Sequence, residues 1–457
     1  MMIAGNVAAA VIVLGLPAPD ATARARASLR HSPPSALVRR ATRGTRKPHS
    51  GLSQGPHGSS LQAGVSVGVT PTEQQDAREL AAARALNAHI VRIEVRWSEY
   101  EAQPGEVSSE RLSQLAAFMR AAARRRIKVI VLSQGTPCWD STAPVQIEAA
   151  CLPGQSSKAN AWPPANDAAY GTFVAFIAQR FASELAAIEV WNEPDQANED
   201  YLAGPEKAAH YAEILKAAYP AIKAVAPQIP VLAGSFIGPT GYFLRLLYEH
   251  GIQGYYDGLS VHFYTLTLAA LHVIHEVQLQ HHDSKPIWLT EFGWPACAPS
   301  EQIQQEQACV SARVQAENLA SMTHELARLP YVAAAVFYKL QDSPEESFGV
   351  LTESGARKPS FAAVARAFAN PLAKPAPVRL QLLRSAAGLI ATGSAPVGDY
   401  MQLEALRDGH LRYSTLFTLD RFNRYRVALP AAIGARGLLV RVHQYGYPPR
   451  SGAHARA

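Results

Sequence analysis

Ile188-Glu189-Val190-Trp191 runs directly into Asn192-Glu193-Pro194-Asp195. A short run of β-favouring residues, cut off by a turn that proline closes, reads as a strand ending at Trp191. The same texture recurs at Val65–Val69, Ile90–Val95, Lys128–Leu132, Val231–Gly234, Leu259–Phe263, Ile287–Thr290 and Ala333–Tyr338, eight runs in all. Amphipathic stretches lie between them, among them Thr72–Leu86, Glu110–Arg125, Asp167–Glu184, Pro205–Val225, Glu301–Leu329 and Phe361–Phe368. Thr70-Pro71-Thr72-Glu73 has the spacing of a capping box, with proline near the first turn. Eight β-then-α units in series predict an α/β fold, a closed (β/α)8 TIM barrel. An open doubly wound sheet is the alternative, but it needs a glycine-rich phosphate turn after its first strand. Gly64 and Gly68 do not open a helix at that spacing.

Outward from this core, the chain divides by composition. Residues 1–23 hold a mostly apolar stretch, Met1 to Leu16, followed by Ala21-Thr22-Ala23. They read as a signal peptide or an anchor that would associate the protein with a membrane, though no positive charge precedes the apolar run. Residues 24–60 are rich in Arg, Ser, Pro, Gly and His without apolar periodicity, a disordered basic linker. The barrel is expected over 61–372. After the Pro-rich joint Lys374-Pro375-Ala376-Pro377, residues 373–450 show alternating runs at Val378–Leu383, Gly388–Thr392, Tyr400–Leu406, Leu411–Leu416, Tyr425–Leu429 and Leu438–Val442. They predict a small C-terminal antiparallel β-sandwich, helped by a strand from residues 52–63.

Charge follows the same divisions. Residues 1–60 carry eight Arg or Lys against one acid, residues 61–373 have a net charge of −9, and residues 374–457 one of +8. A nucleic-acid partner would need the basic face to coincide with the candidate site, and it does not. Cys138 and Cys151 bracket one loop, Cys297 and Cys309 another. Local pairing within each loop is the economical arrangement of three and suits an exported protein, periplasmic or secreted; four free thiols in a cytosolic enzyme is the other reading. No C-x-x-C spacing offers a metal site, and neither metal nor organic cofactor is expected.

Barrel sites form at the carboxyl ends of the strands. There the second run carries Arg92-Ile93-Glu94-Val95-Arg96-Trp97, the fourth Asn192-Glu193-Pro194, and the sixth His262-Phe263-Tyr264. The seventh carries Thr290-Glu291-Phe292-Gly293-Trp294, and the eighth Tyr338-Lys339. Two carboxylates on opposite walls of one cavity are what glycosidic cleavage needs, one to protonate the leaving oxygen and one to attack the anomeric carbon. Asn192 is placed for a sugar 2-hydroxyl. Arg92 is placed to orient Glu291 and favour its charged form, unless it pairs with Glu94 instead. Tyr264 is placed to donate to Glu291 and His262 to fix a substrate hydroxyl. Tyr338 completes the substrate-binding set, with Trp97, Trp139 and Trp294 as sugar-stacking platforms. Trp191 and Trp288 read as space-filling, and Trp162 as a loop anchor. The long loop Thr136–Pro164 suggests a cleft for several sugars.

Asn192-Glu193-Pro194 and Thr290-Glu291-Phe292-Gly293 resemble the acid/base and nucleophile signatures of the retaining (β/α)8 glycoside hydrolases of clan A. Val91-Arg92-Ile93-Glu94-Val95-Arg96-Trp97, Gln103-Pro104-Gly105-Glu106 and Gly135-Thr136-Pro137-Cys138-Trp139 are similar to the family 39-like branch. That branch includes β-xylosidases, α-iduronidases and bacterial endoglycosidases of exopolysaccharide clusters, the Psl type. The resemblance covers residues 64 to about 370, the tail only in outline. It implies Glu193 as acid/base, Glu291 as nucleophile, and an exported endoglycosidase whose partner is an oligo- or polysaccharide. An exo-acting β-glycosidase and a non-catalytic carbohydrate-binding protein of polysaccharide secretion are the alternatives.

Overall fold

A computed structural model describes residues 61–265, 267–298, 300, 308–386, 388–396, 400–445 and 453–456. The expected signal peptide and basic linker lie outside them. Eight parallel strands close on themselves in sequence order: β1 (Gln62–Ser66), β2 (Ile90–Arg96), β3 (Lys128–Gln134), β4 (Leu185–Val190), β5 (Val231–Phe236), β6 (Gly258–His262), β7 (Ile287–Glu291) and β8 (Val332–Phe337). The last pairs with the first, Gly64 opposite Val336. The TIM barrel read from the eight β-then-α units is the fold observed.

Alternation along the strands sorts side chains between two cores. One set faces the surrounding helices and joins the main core, as Val91, Ile93, Ile188 and Val190 do. The other fills the barrel floor with Ile90, Ile130, Ala187, Leu232, Trp288, Ala334 and Val336. Trp288 therefore fills space, as expected. The inward positions one step further up are polar: Arg92, Glu189, Ser260 and Thr290, all buried. An apolar floor beneath a polar storey places the chemistry at the carboxyl ends.

Three boundaries differ from the sequence reading. β1 begins three residues earlier than Val65 and stops at Ser66, where its register with Arg92 ends. Val67–Val69 alternates like a strand but belongs to the loop above it. Gly64 permits the close approach, since a Cβ there would lie 2.7 Å from the Ile90 carbonyl oxygen. Gln62 and Ala63 thus belong to the barrel rather than lending a strand to the sandwich. The helix expected over Glu301–Leu329 is described only as Ala312–Leu326, capped by Ser311, and residues 301–307 lie outside the description. At Glu73–Ala85 the cap is Thr72, whose hydroxyl accepts from the Gln75 amide, while Thr70 bonds Asp76.

Beyond the helix Pro359–Ala369 the chain forms β9 (Arg379–Ser385), β10 (Gly388–Ser394), β11 (Tyr400–Arg407), β12 (His410–Thr418), β13 (Arg424–Ala428), β14 (Leu438–Gln444) and β15 (Ala453–Arg456). They make two antiparallel sheets, ordered β13-β10-β9 and β12-β11-β14-β15. A separate apolar core of Leu389, Ala391, Met401, Leu403, Val440 and Val442 lies among them. The expected sandwich is present with one strand more than its six sequence runs. It meets the barrel through Asn423, whose amide donates to Asn318, and Arg421, which donates to the Cys297 carbonyl. Both local disulfides form, Cys138–Cys151 and Cys297–Cys309, as befits an oxidising compartment. Among the described residues no helix is long and apolar enough to cross a membrane.

Candidate active site

The site is built on the polar storey. Arg92, fully inside the barrel, donates through Nε to Glu189 Oε2 and through Nη1 to Glu291 Oε1, each at 2.5 Å, and through Nη2 to Asn192 Oδ1 at 3.0 Å. Burial alone disfavours a guanidinium, but the Glu189 and Glu291 carboxylates outweigh it and hold Arg92 above its ordinary pKa. Burial likewise opposes ionisation of Glu189. Arg92, His262 and the Ser260 and Thr290 hydroxyls overcome it, and its pKa falls below the usual carboxylate range. Arg92 does not pair with Glu94, which bonds Gln134 and Arg96 nearer the surface.

Glu291 is held at both oxygens, since Tyr264 donates its hydroxyl to Oε2 at 2.5 Å. Burial, then the Glu291 charge, pushes that phenol far up, so it stays a donor. Glu193 has one side-chain partner, His262 Nδ1 at 2.8 Å from its Oε1. That ring nitrogen also lies 3.6 Å from Glu291 Oε2. Carboxylate oxygens of Glu193 and Glu291 and a ring nitrogen of His262 all fall within 4.8 Å of one another.

The imidazole bridges the two walls of the site. Thr290 Oγ1 lies 2.7 Å from Glu189 Oε1 and 2.5 Å from Ser260 Oγ. His262 Nε2 lies 3.1 Å from the same Thr290 oxygen, while Nδ1 faces Glu193. Glu193, His262 and Glu291 also form the metal-spaced cluster among the described residues. Arg92 and Tyr264 already engage both oxygens of Glu291, so the donors are committed to hydrogen bonding.

Backbone geometry aims the acids. Trp191 and Glu193 have positive φ, 68° and 39°, a kink that turns the chain over the end of β4. Tyr211 clamps it, donating to the Val190 carbonyl while accepting from the Gly234 amide. Asp195 accepts from the Ile237 and Gly238 amides and fixes the exit.

A cleft of about 460 Å³ opens over Arg92, Asn192 and Glu291, with Glu94, Gln134 and Tyr201 on its walls. Tyr338 also lines it and donates to Glu346. The tryptophans expected as platforms are elsewhere. Trp97 is fully buried, donating to Glu101 and packed edge-on against Trp139, which donates to the Glu101 carbonyl. Both support the loop from behind, and neither lines the cleft. Trp294 packs edge-on against Phe292 and lines a separate depression of about 260 Å³ shared with the sandwich. Trp191 is buried against Tyr170, in line with its space-filling reading, and Trp162 packs against Gly204. No residue of 136–164 lines the cleft; that loop reaches its rim through Ser156, which accepts from Arg96.

Sequence reasoning missed Glu189 and Tyr201. Glu189 carried a usable signal: an acid at an inward position of β4, two residues beyond Ala187, must find a buried cation, and Arg92 stands at an inward position of β2. Tyr201 lines the cleft with Glu291, and burial, then the Glu193 and Glu291 charges, pushes its phenol upward.

Residues 161–355 match the family model described as Glycosyl hydrolase catalytic core. Among curated proteins none is similar in sequence to this chain. Three of the solved structures that share its fold illustrate the likeness. A family 39 glycoside hydrolase from Bacteroides cellulosilyticus WH2 has a TM-score of 0.54 and 19% identity, with 81% of each chain covered. The family 39 enzyme of Xanthomonas axonopodis pv. citri has a TM-score of 0.51 and 13% identity, over 81% of this chain and 91% of that one. A monomeric β-xylosidase from Caulobacter crescentus CB15 has a TM-score of 0.52 and 13% identity, over 84% and 95%.

Proposed function

We propose that the chain is a glycoside hydrolase that cleaves O-glycosidic bonds by double displacement, with Glu291 as nucleophile and Glu193 as acid/base. The observation that carries this is the unequal dressing of two acids whose oxygens lie within 4.8 Å. Glu291 receives a guanidinium and a phenol, one on each oxygen. Glu193 has neither, and its side chain meets the His262 imidazole at one oxygen. A separation of about 5 Å suits a retaining enzyme, because an inverting one needs room for water between its carboxyl groups.

In the first step Glu291 attacks the anomeric carbon, the glycosidic C–O bond breaks, and the proton on Glu193 passes to the leaving oxygen. In the second, Glu193 removes a proton from water, which displaces Glu291 from the same carbon. Arg92 and Tyr264 hold the nucleophile in line. Asn192, whose Oδ1 is engaged by Arg92, is left with its amide nitrogen for the sugar 2-hydroxyl.

The substrate we assign is a bacterial exopolysaccharide cut internally by an exported enzyme. Two disulfides support export, and an open, polar cleft supports a polymer. A screen of soluble polysaccharides with mass analysis of products tests this: oligosaccharides of mixed length are expected, and release of single sugars from chain ends would indicate exo action. Glu291→Ala should abolish turnover. Glu193→Ala should lose about 10²–10⁴-fold on poor leaving groups, keep activity on dinitrophenyl glycosides, and yield a glycosyl azide of retained configuration when azide is added.

A further inference from the structure

The catalytic cleft does not end at its rim. It shares Ser66, Val67, Gly68 and Tyr338 with a second depression of about 320 Å³. That one shares Gln75, Glu79 and Gln341 with a third, of about 660 Å³, on the barrel's flank between the helices Glu73–Ala85 and Pro359–Ala369. The shared residues set the three side by side, in a line from Glu291 over the β1–β8 seam to the outside of the barrel.

We propose that this trench is a distal binding site for the same polysaccharide chain whose bond lies between Glu193 and Glu291, an inference that rests on the glycosidase reading. Continuity with the cleft is the first argument. The second is chemistry: the flank presents the Gln74 and Gln75 amides and the Arg78 and Arg357 guanidinia, donors suited to sugar hydroxyls. Arg357 lies over the Phe361 ring at 4.3 Å, a flat face ordered before any ligand arrives. The third is Gly68. Its φ lies outside the left-handed region and a Cβ there would meet nothing within 4 Å, so neither backbone nor packing requires glycine. Gly68 lines both of the first two depressions, and a side chain added there would enter open space. Each depression is within the range of about 300–1,000 Å³ usual for ligand sites, and a single sugar at the reacting centre cannot reach the third. A long chain fills all of them.

The test separates binding from turnover. The full-length chain carrying Glu193→Gln is run through native gels cast with soluble xylan, mixed-linkage β-glucan, glucomannan or a bacterial exopolysaccharide. Retardation by at least one polymer is expected. Adding Arg78→Ala with Arg357→Ala, both exposed and foldable changes, should weaken that binding about ten-fold, as loss of two net hydrogen bonds implies. Gly68→Phe should do the same by obstruction. Unchanged retardation in both variants, or none with any polymer, overturns the trench. Hydrolysis of aryl glycosides by the chain with Glu193 intact is followed in parallel and reports on the two acids alone. Its absence would count against the glycosidase reading while the gels still decide the trench.

Discussion

Replacing Glu189 by glutamine removes a charge while keeping the shape, and the structure says what should follow. Glu189 is wholly buried and accepts from Arg92, Ser235, Ser260 and Thr290. In Glu189→Gln the carbonyl end can face Arg92 and the amide end can donate to the hydroxyls, so packing survives. Arg92 is left with Glu291 as its one anionic partner. Removing one member of a buried charge group costs about 3–5 kcal/mol, and because Glu291 remains we expect about 3 kcal/mol. At about 2–4 °C per kcal/mol, that is a drop in Tm of roughly 6–12 °C. The sign with pH is definite. Glu189 has a depressed folded pKa, so its contribution is present above the unfolded value and disappears as pH falls through the folded one. Wild type and variant should therefore converge in stability toward acid. Catalysis should change as well. Arg92 then has one carboxylate in place of two to fix its orientation against Glu291, so kcat/KM should fall. Calorimetry and pH–rate profiles on one preparation suffice. A Tm within about 2 °C of wild type at neutral pH, well below the cost of breaking a buried pair, together with an unchanged kcat/KM, would refute the reasoning.

Other consequences are simpler. Tyr264→Phe removes a hydrogen bond to the nucleophile and should lower kcat about 10- to 100-fold, the worth of a bond to a charged group; an unchanged kcat would show that Arg92 alone holds Glu291. Burial first, opposed by an amide bond from Asn166 and aided by Glu101, pushes Asp140 up to about 6. Its stabilising effect is complete below the unfolded value and is lost as pH rises through 6, so Asp140→Asn should flatten the fall in Tm between about pH 4 and 7. Cys138→Ser with Cys151→Ser opens a loop of sequence separation 13 and should cost about 3 kcal/mol in denaturant unfolding.

The barrel was legible because its strands announce themselves twice, by β-branched runs and by polar residues at their carboxyl ends. Glu193, Glu291, Arg92, Asn192, His262 and Tyr264 were found in that way, and the structure gathers all six at one centre. The tryptophans were not readable. An indole has the same letter whether its face meets a sugar or its edge meets Trp97, and only the fold shows that Trp139 points into packing and that Trp294 lines a depression apart from the cleft. Glu189 was overlooked because a single acid inside an apolar run looks like an edge residue until the strand's inward face is known. Val67–Val69 misled for the opposite reason, since alternation persists past the residue where pairing with β2 stops.

The left-handed turn at Trp191 and Glu193 carries a further consequence. Residues with side chains resist that conformation, at a cost of about 1–3 kcal/mol each, whereas glycine adopts it freely. A chain with Glu193→Gly should therefore lose turnover of poor leaving groups yet outlast the wild type on heating. Selection for ruggedness alone would erode this enzyme from its reactive acid outward, and screens for heat-tolerant descendants should carry an activity gate.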